Sequence, residues 1–499
     1  MTLVAVPLSA AAVDTLLADT HRAQAAGADL VEWRLDTAVK LGADPLALIA
    51  AIPRSPLPVL VTVRHANEKG DWNGTEAERF ALLAAADQAG AAYIDVELAH
   101  DQGWRPAHAR LILSSHDFSG MGEDLVGKLA EMERRGAIAK VAVTARDASD
   151  LNLVRDLLLA KPGKRIVLAM GEHGLSSRLL AGVWGGLLTF ARLPDQAGSA
   201  PGQPSVSDLV GLYRLHAQRP GWRIFGVVGN PIGHSLSPHL HNPCLAQVGA
   251  EAVYVPLLVT DFARFWADCG AWIAGLSVTI PHKEALLAVG GANGWVIEDA
   301  PRRIGAANTL YRAADGAPRL ANTDAVAIRT LLETHGSLAG KTLLCLGAGG
   351  VARAIAFVGG VAGATVVIAN RTLDRAQALA AEVRGARAVT FADAESVAYD
   401  ILVNGTSVGM KDPANSPWPA RLQRPGTVVF DTVYIPFETR LLREARAAGA
   451  TVIPGLGMFI GQAADQFRRF TGQEMDRAMA ERILRERLAP LVPGAAGKG

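Results

Sequence analysis

Lys140 stands inside the apolar run Ala-Ile-Ala-Lys-Val-Ala-Val at 137–143. A lysine is almost never fully buried without a partner. Burial disfavours an ammonium, and the amine it favours can attack a carbonyl carbon and form a Schiff base. The alternative is a lysine whose stem lies in the wall while its head reaches solvent. Other polar groups stand in or just after similar apolar runs. Glu32 and Arg34 are two apart in Leu-Val-Glu-Trp-Arg, so they share one strand face. Arg64 closes Val-Leu-Val-Thr-Val-Arg, and Glu68 follows in the next loop. His116 follows Leu-Ile-Leu-Ser-Ser, Arg178 follows Arg-Ile-Val-Leu-Ala-Met, and Ser199 and Gln203 lie in Gly-Ser-Ala-Pro-Gly-Gln. Taken singly, His116 reads as a hydrogen-bonded structural histidine, and the arginines read as rim ion pairs of small worth. Taken together they suit an anionic keto acid. Guanidinium groups grip its carboxylate, the amine condenses with its ketone, and the imidazole moves a proton at the adjacent carbon.

A second constellation follows in the other half of the chain. Ser235 and Ser237 lie in Gly-His-Ser-Leu-Ser-Pro, Thr279 and Lys283 in Thr-Ile-Pro-His-Lys-Glu, Asn308 in Gly-Ala-Ala-Asn-Thr-Leu, and Asn322 and Asp324 in Ala-Asn-Thr-Asp. Each motif alone also reads as a helix cap. The segment Lys-Thr-Leu-Leu-Cys-Leu-Gly-Ala-Gly-Gly-Val-Ala-Arg has the form of a dinucleotide-binding turn, with Gly347, Ala348, Gly349 and Gly350 at the bend and Ala352 in the place of the third glycine. Such a turn lets a pyrophosphate approach the backbone N–H groups of a helix start. An ordinary tight βα turn would look similar. The next apolar strand ends in Asn370-Arg371-Thr372, 23 residues after Gly347, with Arg375 close behind. An acidic residue there favours the ribose of NAD, whereas guanidinium groups favour the 2′-phosphate of NADP. The other reading of Arg371 is an exposed surface arginine.

These groups need elements to hold them. Strands are expected near Leu3–Val6, Leu30–Leu35, Val59–Val63, Tyr93–Val96, Arg110–Leu113, Ala137–Val143, Arg165–Met170 and Leu187–Phe190. Helical spacing intervenes, as at Glu76–Gln88, Gly122–Arg135 and Ala148–Leu159. Alternating β and α with nearly continuous apolar strands implies a parallel sheet covered on both faces. Eight such units imply a (β/α)8 barrel with its site at the C-terminal ends of the strands. An open doubly wound sheet is the alternative. Pro220 and Gly221 mark a boundary, so residues 1–217 form the first expected domain. Beyond it, strands near Ile224–Val228, Gly275–Val278, Thr342–Leu346, Thr365–Ala369, Ile401–Asn404, Val428–Asp431 and Thr451–Ile453 build an α/β half with a Rossmann sheet.

Composition narrows the partners. The 499 residues allow two to four domains. Lys plus Arg number 49 and Asp plus Glu 48, so no field of one sign exists to recruit nucleic acid or an anionic membrane. Half of the residues are hydrophobic and 19% are charged, which excludes disorder. Cys244, Cys269 and Cys345 are too few, and odd in number, for a disulfide framework. No Cys and His spacing matches a metal site, so no metal is expected. The N-terminus lacks a basic region, and Asp14 interrupts its apolar stretch. With no run of 18 apolar residues, a soluble cytoplasmic protein is expected. Oligomeric state is not legible.

At this point Val-Glu-Trp-Arg-Leu-Asp, Thr-Val-Arg-His-Ala-Asn-Glu-Lys-Gly, Ser-Ser-His-Asp-Phe, Ala-Lys-Val-Ala-Val, Ser-Ser-Arg-Leu-Leu-Ala-Gly and Gly-Ser-Ala-Pro-Gly-Gln, in this order over about residues 1–213, resemble type I 3-dehydroquinate dehydratase. The resemblance implies that Lys140 forms the Schiff base, that His116 is general base and acid, and that Glu68 orients it. It also implies that Glu32, Arg34, Arg64, Arg178, Ser199 and Gln203 bind substrate, and that this half needs no cofactor. Glu172 and His173, before Arg178, depart from the pattern. The remaining length, about 222–499, resembles shikimate dehydrogenase through Gly-Asn-Pro-Ile-Gly-His-Ser-Leu-Ser-Pro, Leu-Ser-Val-Thr-Ile-Pro-His-Lys-Glu, Gly-Ala-Ala-Asn-Thr-Leu, Asn-Thr-Asp, Gly-Ala-Gly-Gly, Asn-Arg-Thr, Asn-Gly-Thr-Ser-Val-Gly-Met and Gly-Leu-Gly-Met-Phe-Ile-Gly-Gln-Ala. That resemblance implies a Lys283–Asp324 dyad and substrate contacts from Ser235, Ser237, Thr279, Asn308 and Gln462. NADP(H) would lie on Gly347, Ala348, Gly349, Gly350, Asn370, Arg371, Thr372 and Arg375. It also implies a substrate lobe of 222–323 plus 458–499 and a Rossmann NADP-binding lobe of 324–457, a two-lobed α/β dehydrogenase fused to the barrel. Ala325 stands where the family usually has Gly. The fusion would dehydrate 3-dehydroquinate to 3-dehydroshikimate and reduce that with NADPH to shikimate. The rival readings are a non-catalytic sensor of the same metabolites and a catabolic enzyme whose second half oxidises quinate or shikimate, often with NAD.

Overall fold

The computed structural model describes residues 1–196, 198 and 202–488. Eight parallel strands form the first sheet: β1 (Leu3–Leu8), β2 (Leu30–Arg34), β3 (Val59–Thr62), β4 (Tyr93–Glu97), β5 (Arg110–His116), β6 (Ile138–Thr144), β7 (Arg165–Met170) and β8 (Leu188–Phe190). They run in the order β7-β6-β5-β4-β3-β2-β1-β8. The Leu187 N–H donates to the Arg165 carbonyl at 2.9 Å, which brings β8 against β7 and nearly closes a barrel.

The strand period of two builds the interior in layers. Ala5, Leu30, Leu60, Ile112, Ile166 and Leu188 pack as an apolar floor. Two residues further along the same strand faces come Glu32, Thr62, Ser114 and Lys140, all buried. Two further again come Arg34, Arg64 and His116. The floor is thus the element that aims the polar layers at the C-terminal mouth.

Local signals fix the helices. Glu76–Gln88 begins with a capping box in which Thr75 and Glu78 satisfy each other's backbone N–H groups. The helix expected from Gly122 starts at Leu125, because the Asp124 side chain accepts from the Gly127 N–H at 2.9 Å. The stretch from Ala148 begins as one 3-10 turn and becomes α-helix at Leu151–Leu159.

Two further sheets follow. The first joins β9 (Arg223–Gly229), β10 (Ala252–Leu258), β11 (Ile273–Val278), β12 (Val296–Ile297), β13 (Thr309–Arg312) and β14 (Pro318–Ala321) in the order β10-β9-β11-β13-β14-β12. Strands β10 and β12 to β14 have no counterpart among the expected strands. Pro256 interrupts the β10 pattern, and β13 and β14 are four residues each and carry Arg312 and Arg319. The last sheet joins β15 (Thr342–Leu346), β16 (Thr365–Ala369), β17 (Arg387–Val389), β18 (Ile401–Asn404), β19 (Val428–Asp431) and β20 (Thr451–Ile453). Its order, β17-β16-β15-β18-β19-β20, is all parallel and is the doubly wound Rossmann arrangement.

By packing, the chain divides into two compact units. One holds Met1–Gly226, Pro231–Gly233 and Glu251–Ile273, and the other holds Val227–Asn230, His234–Ala250 and Ala274–Gly499. Among the described residues no helix is long and apolar enough to cross a membrane.

Candidate active sites

At the mouth of the barrel lies a cavity of about 450 Å³. Glu32, Arg34, Arg64, Glu68, His116, Lys140, Arg178 and Gln203 all line it, so the polar groups read from six separate segments converge. Ser199 lies outside the described residues. Lys140 is buried on β6, and its Nζ donates to Asp95 Oδ2 at 2.8 Å. The ammonium also lies 4.6 Å from the centroid of the Phe190 ring. Arg64 bridges Asp95 at 2.8 Å and Glu97 at 3.0 Å, and its Nη1 donates to Ser114 Oγ at 2.8 Å. Arg34 is held by both oxygens of Asp36, at 2.7 and 3.0 Å. The Thr62 hydroxyl donates to Glu32 at 2.8 Å.

Three groups differ from the rest. His116 Nδ1 lies 2.7 Å from Glu68 Oε2, which leaves Nε2 for whatever occupies the cavity. Burial pushes the Glu68 carboxyl up to about 7, against the pull of Arg64. Burial, then Arg64 and Lys140, drives His116 well below its ordinary value. Arg178 is 2% exposed, and its Nε and Nη1 have no hydrogen-bond partner among the described residues. Burial lowers it to about 10. A buried guanidinium with idle donors is costly unless a ligand supplies the acceptor.

Asp95, Glu97 and Arg79 are among the residues the sequence reading did not single out. Asp95 and Glu97 are two apart in Tyr-Ile-Asp-Val-Glu, the same spacing that marks Glu32 and Arg34. Burial disfavours the Asp95 carboxylate, but Arg64 and Lys140 outweigh it and hold the group well below the usual range. Arg79, fully buried, donates to the Val63 carbonyl at 2.8 Å and pairs with Glu97. Glu97 is thereby fixed as the acceptor for Arg64 and for the His65 N–H at 3.0 Å. Nothing local in the helix pattern distinguishes Arg79 from a surface arginine.

In the other half, Lys283 opens the helix Lys283–Ala292 and donates to Asp324 Oδ2 at 2.6 Å. Asp324 sits in the first turn of the helix Thr323–Glu333. The cap of that helix is Asn322, whose side chain accepts from the Ala325 N–H at 3.1 Å. Capping and pairing therefore fall on different residues of one motif. Asn308 is buried, and its Oδ1 accepts from the Thr323 N–H at 2.8 Å, tying the start of β13 to the Asp324 helix. The Thr279 N–H donates to the Val228 carbonyl at 2.9 Å, and the Lys283 carbonyl accepts from the Ala307 N–H at 3.0 Å. Gln466, buried, accepts from Ser277 at 2.7 Å and donates to Thr309 at 3.1 Å, which locks β11 to β13. Ser235 accepts from the Ser237 N–H at 3.3 Å, and Gln462 donates to Phe459 within its own helix at 3.2 Å. No hydrogen bond among the described residues ties Ser235, Ser237 or Gln462 to the Lys283–Asp324 pair.

The glycine turn fits a dinucleotide. Gly347 has φ +105°, and a Cβ there would lie 2.9 Å from Thr406 and 3.1 Å from the Gly405 carbonyl. Around Gly349 and Gly350 a Cβ would meet nothing within 4 Å, which leaves open space over the start of the helix Gly350–Val361. The first-turn amides of that helix lack intrahelical acceptors. Ala352 replaces the third glycine, and Gly405 compensates: a Cβ on Gly405 would come 3.0 Å from that of Ala352. Ala348 is half-buried beside the turn. Asn370 donates to the Thr372 carbonyl at 2.8 Å, shaping the loop after β16. Arg371 and Arg375 are exposed there and pair with no carboxylate among the described residues.

Comparison with known families accounts for both halves. The type I 3-dehydroquinase family matches residues 4–220. The shikimate dehydrogenase substrate binding domain matches 227–310, the shikimate / quinate 5-dehydrogenase family 330–412, and the shikimate 5′-dehydrogenase C-terminal domain 455–485. Over 501 aligned residues the chain is 38% identical to the bifunctional 3-dehydroquinate dehydratase/shikimate dehydrogenase, chloroplastic, of Arabidopsis thaliana, covering 94% of this chain and 82% of the relative. The chain belongs to the bifunctional 3-dehydroquinate dehydratase/shikimate dehydrogenase family.

In this family setting, the second half is also 42% identical to the NADP(+) shikimate dehydrogenase of Halobacterium salinarum, over 53% of this chain and 99% of that one. Among solved structures it is similar to a Thermus thermophilus shikimate 5-dehydrogenase in complex with NADP(H) and shikimate, at 38% identity and a TM-score of 0.48, covering 53% of this chain and 100% of that one. The dehydratase barrel and the NADP-dependent dehydrogenase occupy consecutive stretches of one chain, as the sequence motifs imply.

Proposed function

We propose that the chain converts 3-dehydroquinate to 3-dehydroshikimate in the barrel and reduces that product to shikimate in the second half. The observation that carries the first step is Arg178, a buried guanidinium with two donors that have no partner among the described residues, lining a cavity that also holds an amine and an imidazole. The substrate carboxylate supplies the missing acceptors. The Lys140 ammonium gives up a proton to water, the free amine attacks the C3 ketone carbon, and protonation and loss of the carbinolamine hydroxyl as water give a protonated imine. The imine acidifies C2, from which His116 Nε2 takes a proton. The same imidazole then gives a proton to the departing C1 hydroxyl, and hydrolysis of the imine returns Lys140. Glu32, Arg34, Arg64 and Gln203, with Ser199, hold the carboxylate and hydroxyls.

In the second half, 222–323 with 458–499 is read as the substrate lobe and 324–457 as the cofactor lobe. Gly347, Ala348, Gly349 and Gly350 would carry the pyrophosphate of NADP(H), and Asn370, Arg371, Thr372 and Arg375 the adenosine end. When bound, the nicotinamide supplies the hydride for the ketone. Lys283 stabilises and protonates the alkoxide that forms, and Asp324 keeps the ammonium on target. Ser235, Ser237, Thr279, Asn308 and Gln462 would position the ring hydroxyls and carboxylate. Three buried free thiols support a cytoplasmic location.

The deciding assay measures both steps with 3-dehydroquinate, shikimate and quinate, each dehydrogenase substrate with NAD and NADP. Dehydration plus NADP-linked shikimate oxidation is expected. Absence of dehydration, or quinate with NAD as the best pair, would refute the corresponding half of the reading. Arg178→Met is expected to raise KM for 3-dehydroquinate by about 10- to 150-fold, since a charged hydrogen bond is worth roughly 1.5–3 kcal/mol.

Arg371→Ala tests cofactor choice. Loss of one contact to the 2′-phosphate should weaken NADPH by about 10- to 150-fold, toward the low end if Arg375 shares the phosphate. NADH, which has no such phosphate, should bind as before. Titration of both cofactors against both proteins gives the answer. Equal losses would mean that Arg371 supports the loop and does not read the phosphate.

A further inference from the structure

Three described non-glycine residues adopt left-handed backbone: Lys69, Asp124 and Arg214. Two of them have a visible reason. Asp124 caps a helix through its side chain, and Arg214 lies 4.9 Å from the centroid of the Trp222 ring. Lys69, at φ 54° and ψ 33°, ends the 3-10 turn Ala66–Glu68. Glycine would adopt that conformation without the Cβ penalty. The same turn does use glycine one residue later, where a Cβ on Gly70 would collide with the Arg64 carbonyl. At position 69 the chain keeps a lysine on unfavourable backbone. Strain of this kind persists where a side chain is needed in one place.

That place is the dehydratase cavity. Lys69 lines it, as does Phe118. The Lys69 ammonium lies 4.2 Å from the centroid of the Phe118 ring. The Phe118 ring in turn lies nearly parallel to His116, 6.2 Å between centroids with 14° between planes. Unlike Arg34, Arg64 and Lys140, each salt-bridged to a carboxylate, Lys69 has no carboxylate partner among the described residues. It is exposed, while Arg178 is buried. Among the described residues the cavity thus carries a cation with idle donors deep inside and a second, unpaired one at its solvent side.

We infer that Lys69 is a substrate-capturing residue of the dehydratase half, giving the carboxylate of the incoming substrate a cation at the cavity mouth. This rests on reading the barrel as a 3-dehydroquinate dehydratase. A cation held over an aromatic face is only weakly bound there, so it can turn toward an arriving anion. Electrostatic capture of this kind acts on encounter and falls with salt.

The test uses the full-length protein with Lys69→Gly, Lys69→Met and Lys69→Arg, assayed with 3-dehydroquinate at low and high ionic strength. The Gly and Met variants should lose about 5- to 20-fold in kcat/KM, below the full value of a buried charged contact because the site is exposed. The loss should fall on KM, with kcat within about threefold, and the residual rate should depend less on salt. Lys69→Arg should stay within about threefold of wild type, since it keeps the charge. Lys69→Gly should also melt higher, by about 2–4 °C for relief of roughly 1 kcal/mol of strain, whereas Lys69→Met keeps the strain and should not. Wild-type kcat/KM in both Gly and Met variants would overturn the proposal, as would equal loss in Lys69→Arg. A loss confined to kcat would also overturn it, because Lys69 would then act through Glu68 and His116. Failure of the wild-type protein to dehydrate 3-dehydroquinate would instead sink the reading on which the proposal rests.

Discussion

Lys140→Ala is expected to lose dehydratase activity by at least about 1,000-fold, as removal of a nucleophile that carries a covalent intermediate does. NADP-linked shikimate oxidation should remain at its wild-type level in the same preparation. The fold should tolerate the change because Asp95, which Lys140 leaves, keeps Arg64 at 2.8 Å. A buried carboxylate with one cation remaining is not an orphaned charge. Borohydride added with 3-dehydroquinate should fix the ligand's mass on Lys140 in the wild-type protein and nowhere in the variant. An unchanged dehydration rate in Lys140→Ala, or trapped mass on another lysine, would end the Schiff-base assignment. Loss of both activities together would mean that the variant had misfolded, and Lys140→Met, which keeps the stem packed on its neighbours, then decides the point.

How far the sequence reaches can be seen at this same lysine. Its placement on a strand was legible because three apolar residues on one side and three on the other leave no other element of that length. That Glu32 and Arg34 share one strand face was also legible, since they stand two apart. The partner of Lys140 was not. Asp95 lies 45 positions away, and only the pairing of β4 and β6 to the two edges of β5 brings it within reach. The sequence treats Lys140 as an isolated amine, whereas the folded chain sets it in an alternating row of Arg79, Glu97, Arg64, Asp95 and Lys140. The same limit applies to Ala352. Its departure from the dinucleotide pattern reads as a defect until Gly405, on the loop after β18, is seen to yield the space. Strands β13 and β14 escaped for a different reason. They are short, carry charge, and have their two buried residues adjacent instead of alternating, so no period rises above the background.

His116→Ala is expected to slow dehydration by roughly 100- to 10,000-fold, the range of a positioned general base, while imine formation with Lys140 stays detectable by borohydride trapping. A loss under about tenfold, or ~1.4 kcal/mol, would assign the proton transfer to another group. The pH dependence is the sharper test, because the proton in the His116–Glu68 pair has two places to sit. With Glu68 near 7 and His116 far lower, the pair holds its proton on the carboxyl at pH 6. The Glu68 hydroxyl then donates to Nδ1, so the neutral imidazole carries its hydrogen on Nε2 and has no lone pair for substrate. As pH rises through about 7 the carboxyl ionises and accepts from Nδ1–H, which frees the Nε2 lone pair. Dehydratase kcat/KM, which reports the free enzyme, should therefore rise with pH through an apparent pKa near 7 and not fall there. Glu68→Gln removes the titrating group and keeps a side chain of the same shape. Its rate should be lower than wild type above pH 7, and the rise through that region should vanish. A Glu68→Gln profile with the wild-type inflection in place would show that the proton counted by the pH dependence belongs elsewhere, and that Glu68 only packs against the imidazole.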